Sequence, residues 1–114
     1  MNSEPRAHTA EEAEKILIRH LMSYAKYWAE LKDKTPEERC FGLLFSILVV
    51  FDGGSEGMPS FDISPLPHDD DKEWSKDQGI NWFEKGMVIN TNQMHETLCE
   101  IEREEYEKRF PKSQ

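Results

Sequence analysis

The chain has 114 residues, with 14 Lys and Arg against 23 Asp and Glu, a formal net charge of −9 and 37% hydrophobic residues. That length predicts one small domain over 1–114, with 1–8 and 111–114 as frayed ends. The charge leaves no basic footprint for a phosphate backbone or an anionic membrane, and no run reaches the roughly 18–20 apolar residues of a membrane span, so no direct nucleic-acid contact and no membrane contact are expected.

Thr9 followed by Glu12 is a capping-box pattern and predicts a helix from about Ala10 to Lys32. At 100° per residue, Ala13, Leu17, Leu21, Tyr24, Trp28 and Leu31 share one face. That apolar arc is wide enough for two contacts.

Thr35-Pro36-Glu37-Glu38 is a second start signal, with Thr35 as N-cap, Pro36 at the first helical position and Glu38 closing the box. The run it opens, CFGLLFSILVVF, is apolar all round and predicts a central helix covered on every side, with a buried strand as the competitor. Gly42 and Ser46 make a small-residue notch on it. Asp52-Gly53-Gly54-Ser55-Glu56-Gly57 ends this element as a flexible acidic loop.

Phe61 and Ile63 alternate with polar residues as a half-buried strand would, confined by Pro59, Pro65 and Pro67. A short helix from about Asp70 to Asp77, stopped by Gly79, and a second strand at Met87-Val88-Ile89 follow. The last helix is expected from Asn90 or Thr91 to about Arg109, with one line through Met94, Leu98 and Ile101 and another through His95, Cys99, Tyr106 and Phe110. The expected fold class is therefore α+β, mainly helical, with three principal helices, a short helix and a small two-stranded β element.

His68-Asp69-Asp70-Asp71 is the densest group of ligand-type side chains. Contiguous acids point in different directions, so Asp69 or Asp70 capping the short helix competes with metal binding and with a binding surface. His95 and Cys99 share a helix face, but the chain lacks paired zinc spacing and a nucleophile turn beside either thiol, so Cys40 and Cys99 read as packed core thiols. The DGGSEG loop lacks the ligand pattern of a calcium loop and the Lys or following helix of a phosphate loop. No cofactor, metal site or catalytic set is predicted. Trp74, Trp82 and Phe83 among acids match a protein-binding hot spot as well as a core. The last helix carries six Glu from Glu96 to Glu107 against Arg103, which reads as a solvated face or as a mimic of a phosphate rail.

The apolar CFGLLFSILVVFDG run, the proline-flanked SFDISPLPHDDD and the GINWF block, within residues 38–96, resemble small uncharacterised proteins encoded by bacteriophages and prophages. The resemblance implies a mobile-element origin and a cytoplasmic setting in a bacterial host cell, which two cysteines and a polar N-terminal stretch also suggest. It makes His68, Asp70 and Trp82 worth testing without assigning them roles.

The expected function is that of a non-enzymatic phage-type accessory protein. It binds a host protein through an acidic and aromatic surface formed by His68, Asp69, Asp70, Asp71, Trp74, Trp82 and Phe83, as a counter-defence inhibitor or nucleic-acid mimic, and it forms a homodimer. Two alternatives stand beside it: a metal-binding protein or metal-dependent enzyme built on His68–Asp71, and a structural subunit of a larger assembly.

Overall fold

A computed structural model describes residues 4–111 and contains four helices, α1 (Ala10–Ala29), α2 (Pro36–Phe51), α3 (Asp71–Gln78) and α4 (Met94–Arg109). Of the ends predicted to fray, 1–3 and 112–114 lie outside the described residues. Within them, Arg6 is clasped bidentately by Glu12 at 2.9 and 3.0 Å.

Both capping boxes form. Thr9 Oγ1 accepts the Glu12 N–H at 3.2 Å while Glu12 accepts the Thr9 N–H at 2.9 Å, and Thr35 and Glu38 repeat the exchange at 3.1 and 2.9 Å. These local bonds satisfy N–H groups that no preceding turn can serve, which is why both starts fall where the sequence places them. The Arg6 guanidinium, followed by the Thr9 N–H, draws the Glu12 carboxyl down to about 2.

α1 and α2 pack as a hairpin through the predicted notch. The Trp28 indole lies over Gly42 so closely that a Cβ there would overlap the ring, and its Nε1 donates to Ser46 Oγ at 2.9 Å. α4 packs on the other side of α2, and α3 touches none of the other helices. Phe51 and Phe61 meet edge to face at 5.8 Å, tying the chain beyond α2 back to its end.

The expectation of a fully covered α2 is corrected. Val50 is the one hydrophobic residue buried among those described, and Leu44, in the middle of α2, is 45% exposed. An all-round apolar helix requires neighbours on every side, but only α1 and α4 flank it. The radius of gyration, 19.1 Å, exceeds the roughly 13 Å of a compact chain of this length.

The two-stranded β element is also corrected, and with it the α+β class: the described residues form an all-helical architecture without a strand. The two segments do lie side by side. Ile89 N–H donates to the Ile63 carbonyl at 2.9 Å and Gly86 N–H to the Pro65 carbonyl at 3.2 Å. Between them the Asn90 side chain replaces a ladder rung, accepting from Ile63 N–H at 2.8 Å and donating to the Phe61 carbonyl at 2.5 Å. Pro59, Pro65 and Pro67 have no N–H to donate, so alternation of side chains there does not become a hydrogen-bonded ladder.

Candidate functional site

The expected surface residues sit on one segment, from the loop before α3 to the loop after it. His68, Asp69, Asp70 and Asp71 are all exposed. Neither Asp69 nor Asp70 caps α3. Asp70 occupies the N-cap position without a side-chain bond, while the Asp71 carboxylate reaches back to accept the His68 backbone N–H at 2.9 Å. α3 ends at Gly79, whose φ of 70° is the left-handed conformation that glycine adopts without penalty. Among the described residues no group of three or more His, Cys, Asp or Glu is arranged to hold a metal ion.

Trp82 is the best-held aromatic of the segment. Lys72 and Lys76, one turn apart on α3, place their ammonium groups 5.5 and 5.6 Å from its ring centroid, and its Nε1 donates to Glu84 at 2.9 Å. Lys72 also lies 3.9 Å from Glu84. The indole is thus half-buried under two cations and oriented by a carboxylate. Trp74 does not join it. Two residues from each lysine, it lies on the opposite side of α3 and is 59% exposed. Phe83, beside Trp82 in sequence, is 69% exposed. The surface is therefore a Trp82 platform with Phe83 and Trp74 standing out separately, and Asp69–Asp71, Leu66 and Ile80 are exposed along the same segment.

Two further constellations escape sequence reasoning. The DGGSEG loop is fastened: Ser55 is 8% exposed, with its Oγ 2.8 Å from His20 Nε2 and 2.9 Å from the Tyr24 hydroxyl. His20 and Tyr24 are one turn apart on α1 and stack edge to face at 5.3 Å. The available signal was His20 itself, a polar residue inside the Leu17, Leu21, Tyr24 stripe; Ser55 carried none. Shared between two ring partners, Ser55 anchors the loop to α1.

The second is the start of α4. Neither Asn90 nor Thr91 caps it, and Gln93 at the N-cap position makes no side-chain bond. Asp52, with its side chain 1% exposed, supplies the cap from the end of α2. It accepts the Met94 and His95 backbone N–H groups at 2.9 Å each and lies 2.6 Å from His95 Nδ1. Burial alone pushes the Asp52 carboxyl up; the His95 and Met94 N–H groups and the His95 ring together outweigh it and hold the carboxyl below its ordinary value. An acid at the negative end of the α2 dipole is unfavourable on its own, and that was the sequence's only hint of a distant partner. His95 also packs edge to face on Phe45 at 5.4 Å, so it does not pair with a thiol. Cys40 and Cys99 are both exposed, which corrects their reading as core thiols: Cys40 lies at the open edge of the α1–α2 seam and Cys99 on the exposed part of α4.

No protein-family model, curated protein or solved structure matches the chain. No helix among the described residues is long and apolar enough to cross a membrane.

Proposed function

We propose that this chain is a non-enzymatic accessory protein of phage type that acts in the cytoplasm of a bacterial host by binding a host protein. The observation that carries the reading is the segment around α3, where Trp82 is held under Lys72 and Lys76 and followed by the exposed Phe83, with the exposed acids Asp69–Asp71 at the start of α3. A half-buried indole oriented by charged side chains matches an interaction hot spot, because little side-chain entropy remains to be lost on docking. Since α3 rests on no other helix, the segment is free to meet a partner.

The test is capture from a nuclease-treated bacterial lysate with tagged full-length protein, read by mass spectrometry. One stoichiometric host protein is expected with the native chain. Trp82→Ala should abolish its recovery while far-ultraviolet circular dichroism is unchanged. Capture that is indifferent to Trp82→Ala and to Phe83→Ala would sink the proposal. Counter-defence inhibition and nucleic-acid mimicry are finer versions of the same reading. They draw support from α4, which presents six carboxylates over about 16 Å of helix.

A further inference from the structure

A cleft of about 640 Å³ opens between the α1–α2 hairpin and Glu102 of α4. Trp28, Phe41 and Phe45 wall it, and all three rings are half-buried. The volume falls within the roughly 300–1,000 Å³ that ligand clefts occupy. The Trp28 wall is fixed before anything enters, because the indole lies against Gly42 and its Nε1 donates to Ser46 Oγ at 2.9 Å.

Carboxylates edge the same cleft. Glu37, Glu38 and Glu102 line it, against Lys34 alone. Glu38 serves the Thr35 cap, and the Thr35 N–H, followed by the Thr35 side chain, holds its carboxyl below the ordinary value. Among the described residues no ion pair engages any of the three acids. Arg39, next to Glu38 in sequence, donates instead to the Ala29 carbonyl at 3.1 Å.

Exposed carboxylates bind little by themselves in water, and aromatic walls without charge do not select a cation strongly. Together they select a cation that can lie flat on a ring while its edge donates to carboxylates. A guanidinium has that shape and is weakly hydrated, whereas an ammonium is compact and strongly hydrated. A second copy of this chain is a poor source, since each copy carries a net charge of −9. We propose that the Trp28–Phe41–Phe45 cleft binds an arginine side chain of a basic partner polypeptide, the guanidinium lying on the aromatic wall with its N–H groups directed to Glu37 and Glu102. The cleft shares no residue with the α3 segment, so the inference stands apart from the reading of that segment as a hot spot.

The experiment is fluorescence anisotropy on the full chain with two fluorescein-labelled peptides of equal length, one with an Arg-Leu-Arg core and one with citrulline at both arginine positions. Citrulline keeps the planar shape and loses the charge. The arginine peptide is expected to bind at least about tenfold more tightly. Glu37→Gln with Glu102→Gln, both at exposed positions outside the capping boxes, should weaken it about fivefold and leave the citrulline peptide unchanged. Phe41→Leu keeps an apolar wall but removes a ring, and should cost the arginine peptide more than the citrulline peptide. Trp82→Ala should change neither. Equal binding of the two peptides, or no binding of the arginine peptide, overturns the proposal. So does arginine-peptide binding that the double Gln variant leaves intact, or that Trp82→Ala abolishes, since the peptide would then sit elsewhere.

Discussion

The Asp52 carboxylate and the His95 imidazole, 43 residues apart in sequence, meet at 2.6 Å, and the same carboxylate takes the His95 backbone N–H at 2.9 Å. The end of one helix thereby caps the start of another, and this buried acid joins the Phe45–His95 contact in placing α4 on α2. Asp52→Ala removes three acceptor contacts and leaves two helix N–H groups unsatisfied, so a loss of about 2–3 kcal/mol is expected in urea unfolding.

The same pair sets an acid limb. Because the folded-state Asp52 carboxyl lies below its ordinary value, its contribution is complete above the unfolded carboxylate value near 3.9. It is lost as pH falls through the lower folded value. Unfolding free energy measured from pH 6 down to pH 2 should therefore decline below about pH 4, and the Asp52→Ala chain should decline less. Parallel profiles for the two chains would show that Asp52 does not carry the effect.

Gly42→Ala sets two effects against each other. Alanine gains about 1 kcal/mol of helix propensity over glycine, but its Cβ would strike the Trp28 ring, which the Ser46 hydroxyl holds in place. Overpacking of about 1–3 kcal/mol wins. A net loss of about 1 kcal/mol is expected, together with a shift in Trp28 environment seen by near-ultraviolet circular dichroism.

Ser55→Ala withdraws the one oxygen shared by His20 and Tyr24. A cost of about 1–2 kcal/mol is expected. Amide exchange over residues 52–58 should accelerate more than exchange in α1 or α2. Uniform acceleration would mean that the loop is not fastened through this contact.

If α4 carboxylates steer a host partner, Glu100→Gln with Glu104→Gln should slow association and flatten its salt dependence, leaving dissociation nearly unchanged. Surface plasmon resonance with the captured partner at low and moderate salt separates the two rates.

The helix starts at Thr9 and Thr35 and the stop at Gly79 were legible in the sequence because each depends on bonds within four residues of itself. The notch at Gly42 and Ser46 was legible for the same reason, although not that Trp28 would enter it. Among the expected surface residues, exposure of His68–Asp71 and Phe83 follows from local polarity and loop position. The separation of Trp74 from Trp82 follows from which face of α3 turns toward the next loop.

What the sequence by itself determined about this protein is where α1 and α2 begin, how apolar α2 is and how acidic the chain is. Tertiary structure alone decided that Asp52 rather than Asn90 or Thr91 caps α4, that Ser55 is fastened to α1, and that the proline-flanked segments join through Asn90 instead of forming a sheet. It also decided that α2 and the thiols lack full cover. These outcomes depend on which distant groups meet, and an unpaired N–H or carboxylate is satisfied by whichever partner the packing brings within about 3 Å.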